Sequence, residues 1–182
     1  AALCLIASFA VAPLAFAGAA LPNGADNCAD AAPIAGLGLF DFDNTNATED
    51  GQDHPLCNNN LGPGIARDLW WRWTSTVTGP VTVSTCGLTA VDTEIAVYAP
   101  GAVCAPDTSA LLVCGDQSCG KQSEVTFLAV AGQQYLIRIG SFDGFVDPIG
   151  GPGQFRVTGD LSPSAPAYCQ GWDPSLGIGT AS

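Results

Sequence analysis

The nine residues Asp68 to Thr76, DLWWRWTST, constrain this chain more than any other stretch. Leu69, Trp71 and Trp73 fall on one parity, and Trp70, Arg72 and Thr74 on the other. A strand turns successive side chains to opposite faces, so three adjacent indoles fit a strand that is covered on both sides. They are expected as one face of a core and a cover over the sheet. Similar alternation recurs at Gly38–Phe42, Val81–Thr85, Glu94–Ala99, Leu111–Cys114, Glu124–Val130, Gln134–Ile139 and Gln154–Thr158. Gly79-Pro80 and Ala131-Gly132-Gln133 read as hairpin connections. With 22 Gly and 13 Pro between short apolar runs, the chain is expected to be all-β: a jelly-roll-type sandwich of about eight strands.

The organisation expected is an apolar N-terminal arm over residues 1–22, a sandwich over 23–160 and an extended, irregular tail over 161–182. Seventeen acidic residues against five basic ones give a net charge of −12. No basic patch can be assembled from that balance, which excludes a nucleic-acid partner. Eight cysteines with a single histidine, and no paired C-x-x-C units, point to disulfides rather than zinc. Disulfides place the chain outside the cytoplasm, secreted or at the cell surface. Cys104 is expected to pair with Cys114, Cys86 with Cys119 and Cys28 with Cys57, leaving Cys4 and Cys169 as partners within or between chains.

Several of these segments, in order, resemble a known family. DLWWRWTSTVTGPVTVSTCG, VDTEIAVYAPGAVC, LLVCGDQSCG, SEVTFLAVAGQQYLIRIGSFDG and GPGQFRVTG, with NGADNCADAAPI and FDNTNATEDG upstream, resemble the bacterial pre-peptidase C-terminal-like β-sandwich. The resemblance spans roughly Asn23 to Gly159. It implies a secreted accessory module without catalytic residues of its own. The apolar arm is not part of that pattern.

Enzymatic chemistry finds little support in the residues. His54, the one histidine, stands in a polar loop before Pro55 and is expected to be a solvated loop residue. Calcium is the metal that the loop 41–60 would take, through Asp41, Asp43, Asn44, Asp50 and Asp53, with Glu49 nearby. An EF-hand is rejected, because Asn46 stands where glycine is needed and Gln52 where a bidentate Glu is needed. Asp92, Glu94 and Asp116 form a second acidic group, and Asp143 and Asp147 a third. Asn46-Ala47-Thr48 is an acceptor for an N-linked glycan.

The first twenty residues, AALCLIASFAVAPLAFAGAA, carry no charge. Ala15-Phe16-Ala17 is a small-x-small signature of signal-peptide cleavage. A membrane span is disfavoured by Pro13, by the many small residues and by the absence of flanking Lys or Arg. Leu3, Leu5, Phe9 and Val11 share one parity, whereas the other holds mostly small residues apart from Ile6. That is a strand pattern, and Pro13 would end a helix early. The leading expectation is therefore a structural subunit of an extracellular filament. It would polymerise with other copies of itself by donating Leu3, Leu5, Ile6, Phe9 and Val11 as a strand. The alternative is a secreted carbohydrate- or matrix-binding module, with the arm a signal remnant and Trp70 or Trp172 stacking on sugar.

Overall fold

In the computed structural model, residues 23–54, 57, 64–142 and 149–160 are described. The expectations for the arm, for Cys4, Cys169 and Trp172, for Asp143 and Asp147, and for the tail lie outside them. Nine strands form two sheets: β1 (Ala32–Ala35), β2 (Gly38–Asp43), β3 (Ile65–Thr74), β4 (Gly79–Ser84), β5 (Thr93–Tyr98), β6 (Leu111–Asp116), β7 (Glu124–Ala129), β8 (Gln134–Phe142) and β9 (Pro152–Gly159). Helix is confined, among the described residues, to single 3₁₀ turns at Cys28–Asp30 and Thr108–Ala110.

One sheet has the order β1-β3-β8-β5-β6 and the other β2-β9-β4-β7. Counted from β2 onward, the eight strands run 2-7-4-5 and 1-8-3-6, the double Greek key of a jelly roll. β1 is the added ninth, parallel to β3 with Ala32 opposite Trp71. The all-β sandwich expected from alternation is what the chain forms.

Two connections differ from expectation. β3 and β4 lie in different sheets, as do β7 and β8, so neither Gly79-Pro80 nor Ala131-Gly132-Gln133 closes a hairpin. Both carry the chain across the sandwich. A short arch and a hairpin need the same turn residues, and Gly79 and Gly132 both take positive φ (136° and 81°). Local sequence therefore does not separate the two.

Alternation explains the core. Leu69, Trp71 and Trp73 project between the sheets to meet Phe155, Phe127 and Tyr135, with the Trp71 and Phe155 rings edge to face at 4.8 Å. β4, β7 and β9 send Val81, Val83, Val125, Phe127, Phe155 and Val157 inward. β5 is buried along its whole length, because its outer face is also covered. That outer cover forms a second cluster, with Trp70, Tyr98, Ala96, Leu136, Ile65 and Cys28. It is where the polar side chains of the molecule converge.

Candidate functional site

The bulge in β3 creates this site. Register between β3 and β8 shifts between Ala66 and Leu69, and Arg67 takes φ 48°. An extra residue in one strand re-aims its neighbours. The residues before the bulge change face, while Asp68, two residues before Trp70, shares the outer face of Trp70 and is fully buried. Gly140 opposite has no room for a side chain, since a Cβ there would sit 2.4 Å from the Ala66 carbonyl oxygen.

Trp70 stands opposite Arg138 of β8, and Arg138 opposite Ala96 of β5. The Arg138 guanidinium donates through Nε to Asp68 Oδ2 at 2.5 Å, through Nη1 to the Gln52 carbonyl at 2.7 Å and through Nη2 to the Ile65 carbonyl at 2.8 Å. It also lies over the Trp70 ring, 5.3 Å from its centroid. Asp68 accepts from the Gly51 amide at 3.2 Å. Gly51 lies so close to the guanidinium that a Cβ would come within 2.1 Å of it. Asp50 accepts from the Cys28 amide at 2.8 Å and from Trp70 Nε1 at 2.7 Å. The loop that follows β2 is thus tied to the sheet by the hydrogen bonds it makes around one fully buried ion pair between β3 and β8.

His54 is not the solvated residue expected of it. It is buried, its Nε2 lies 3.0 Å from the Tyr98 hydroxyl and its Nδ1 lies 3.3 Å from Thr108 Oγ1. Burial, then the Arg138 charge, holds its pKa below the ordinary value, so the imidazole is neutral at pH 7. Burial pushes Tyr98 up to about 12 and Asp68 above the usual carboxylate range, against the opposing pull of Arg138 on both. A neutral imidazole bonded to a protonated phenol, with each nitrogen of Arg138 engaged, clamps the loop in place.

The residues proposed for calcium are not brought together. Asp41 accepts from Gln154 Nε2 at 2.7 Å, and Asp43 from the amide and hydroxyl of Thr45 at 3.0 and 2.6 Å. Asn44 is buried, donating to the Arg67 carbonyl and to Ser141 Oγ and accepting from the Gly151 amide. Asp50 is held by Cys28 and Trp70, and Asp53 lies beside Gly64. Among the described residues no group of three His, Cys, Asp or Glu is placed to hold a metal ion. Asn46 is exposed, while Thr48 of its sequon is bonded to Asp26.

The second acidic group does assemble. Glu94 stands directly opposite Asp116 in the β5–β6 ladder, and Asp92 lies two residues along the chain. Asp92 Oδ1 and Asp116 Oδ1 are buried without a hydrogen-bond partner. Burial, and after it the Asp92 charge, pushes Asp116 up to about 6. Its ordinary unfolded value is about 3.9. The folded state therefore binds more protons between those values, and stability falls as pH rises through about 4 to 6. Asp116→Asn is expected to match the parent below about pH 4 and to be more stable above pH 6. The gain is about 1 kcal/mol, since solvent screens a half-buried carboxylate. Urea midpoints at pH 3.5 and 7.5 check this; equal differences at both would refute it.

Cysteine pairing differs from two of the three expectations. The bonds are Cys28–Cys104, Cys57–Cys114 and Cys86–Cys119. Cys104 does not meet Cys114, nor Cys28 Cys57, because strand order and not spacing along the chain decides the neighbours. β6 lies at the sheet edge, and there Cys114 meets Cys57 of the long loop. Trp70, offered as a sugar platform, is fully buried and does not present a face to solvent.

No helix among the described residues is long and apolar enough to cross a membrane. No family model and no curated protein sequence matches the chain. Among solved structures it is similar to CorA, a surface-associated copper-binding protein important in copper acquisition by Methylomicrobium album BG8. The identity is 10%, the TM-score 0.42, and the match covers 70% of this chain and 98% of CorA. A likeness at that level carries no functional inference.

Proposed function

We propose that the chain is a secreted structural subunit that polymerises head-to-tail by giving residues 3–11 as a strand to a neighbouring copy. Among the described residues the main core lies between Ala32 and Val157, and both sheets contribute to it from their own strands. The observation that supports this reading is the pattern of the segment itself: Leu3, Leu5, Phe9 and Val11 share one parity of an uncharged run, as a donor strand requires. Burial of Leu3, Leu5, Ile6, Phe9 and Val11 in a neighbouring copy would contribute roughly 8–15 kcal/mol gross. A donor segment and an acceptor edge are different surfaces, so such a contact generates an open filament unless it closes into a ring.

Deleting residues 1–17, with both forms exported by the same heterologous signal, is expected to convert a sedimenting polymer into a monomer with unchanged circular dichroism. Electron microscopy and analytical ultracentrifugation read the result. A truncated protein that still assembles, or an intact one that stays monomeric, refutes the proposal. The signature Ala15-Phe16-Ala17 favours a second reading, a secreted carbohydrate- or matrix-binding module from which the segment is removed. N-terminal sequencing of the native protein separates the two, because a mature end after Ala17 excludes strand donation.

A further inference from the structure

A sandwich has four lateral edges, and three of these are guarded. β1 is four residues long and contains Pro33. β2 carries Asp41 and Asp43 on its outward row, with Asp41 bonded to Gln154. β6 is irregular in register against β5, ends at Asp116 and is tied to the long loop by Cys57–Cys114. Short length, proline, charge and bulges are the devices that keep edges from pairing with other chains. β7 has none of them after Glu124. Its register against β4 is unbroken, and among the described residues it pairs with β4 alone. Its outward row continues as Leu128, 75% exposed, and Val130, 51% exposed.

We propose that the edge of β7, from Thr126 to Ala129, is the acceptor for residues 3–11 of another copy. This rests on the strand-donation reading above. Three observations select this occupant. The segment is uncharged, so it can lie along an apolar edge of a body with net charge −12 without adding to its self-repulsion. The six residues of β7 span about 20 Å, within the ~30 Å that nine extended residues reach. The third is position. Ala25 is bridged to Trp70 and Ala32 pairs with Trp71, so the chain enters the fold on the β1 side of β3. β7 closes the opposite margin of the sandwich, where it packs against β6. A donor leaving one margin and an acceptor on the other give a repeat that propagates along one axis. β6 meets β7 at the Glu124 end, where Gly115 leaves space for Val125. Main-chain pairing falls to Thr126–Ala129, since the Val130 amide already donates to the Tyr135 hydroxyl at 2.9 Å and its carbonyl accepts from the Gln133 amide at 3.1 Å. Leu128 and Val130 then become cross-strand neighbours of one face of the donor.

The test uses the full chain with a photoreactive benzophenone side chain in place of Phe9. Mixed isotopically light and heavy copies are irradiated and then mapped by mass spectrometry. The expected result is a light–heavy crosslink into residues 124–130. The paired variant L128K/V130K is expected to lower the polymerised fraction at least tenfold while keeping the monomer's circular dichroism, and L39K on β2 to leave it unchanged. Polymers that form normally in L128K/V130K, or whose crosslinks map to residues 38–43 or 111–116, overturn the β7 assignment and leave strand donation standing. Crosslinks within one copy, or no polymer from the intact chain, overturn both.

Discussion

Arg138→Met is expected to destabilise the protein by about 3–5 kcal/mol, the cost of stranding one partner of a buried ion pair. For a domain of this size that is a fall in Tm of roughly 10 °C. The variant leaves Asp68 without its cation and leaves the carbonyls of Gln52 and Ile65 without donors. Asp68→Ala should cost a similar amount, since it leaves the guanidinium unpaired in a dry site. The double variant should cost clearly less than the two together, because the second removal no longer strands a charge. Denaturant unfolding of the four proteins, with disulfides intact, measures the cycle. A single-variant loss below about 1 kcal/mol would mean that water reaches the pair and the seam is not a clamp. Arg138→Lys should recover only part of the loss. A single ammonium cannot reproduce three nitrogens in a planar fork.

The second large effect is expected from the disulfide Cys28–Cys104. Its partners are 76 residues apart, and closing a loop of that length restricts the unfolded chain by about 4–5 kcal/mol in the chain-entropy model. Replacing both cysteines by alanine is expected to lose most of that. Cys86–Cys119, separated by 33 residues, should be worth somewhat less. Local structure adds to the first effect. The Cys28 amide donates to Asp50, whose other oxygen holds the Trp70 indole, so freeing this turn loosens the cover of the sheet. Non-reducing peptide mapping tests the pairing itself, and urea unfolding of the two paired-alanine variants tests the order. A Cys28–Cys57 linkage in the map would contradict the fold around the long loop.

The two effects meet at the same place. The ion pair, the Asp50 bonds, His54 and two of the disulfides all act where residues 26–30 and 48–54, with Cys57, lie over the five-stranded sheet. Among the described residues the second apolar cluster covers the outer face of β3, β8 and β5, and no such cluster lies on the four-stranded sheet.

Alternation made the strands legible. Leu69, Trp71 and Trp73 could be assigned to one face and Trp70 to the other because a pleated strand has a period of two whatever its partners. The same rule sets Arg138 on the opposite face to Ile137 and Ile139, away from the main core. Its partner was not legible. Asp68 lies 70 residues away, and only the pairing of β3 with β8 brings the two together. His54 was misread for a related reason: a polar loop is read as solvated until it is known to fold back over a sheet. The acidic loop invited calcium because its oxygens are close along the chain, yet Asp41, Asp43, Asn44 and Asp50 each find a protein donor in a different place.

By itself the sequence determined the class of the fold, the positions of eight of the nine strands to within a few residues, the oxidised state of the described cysteines and the sign of the net charge. Each follows from composition or from a spacing of two or three residues. Only the tertiary structure decided which cysteines meet, which turns cross between sheets and which strands stand at the sheet edges. Those depend on strand order, and the free energy that selects one order comes from contacts between residues tens of positions apart.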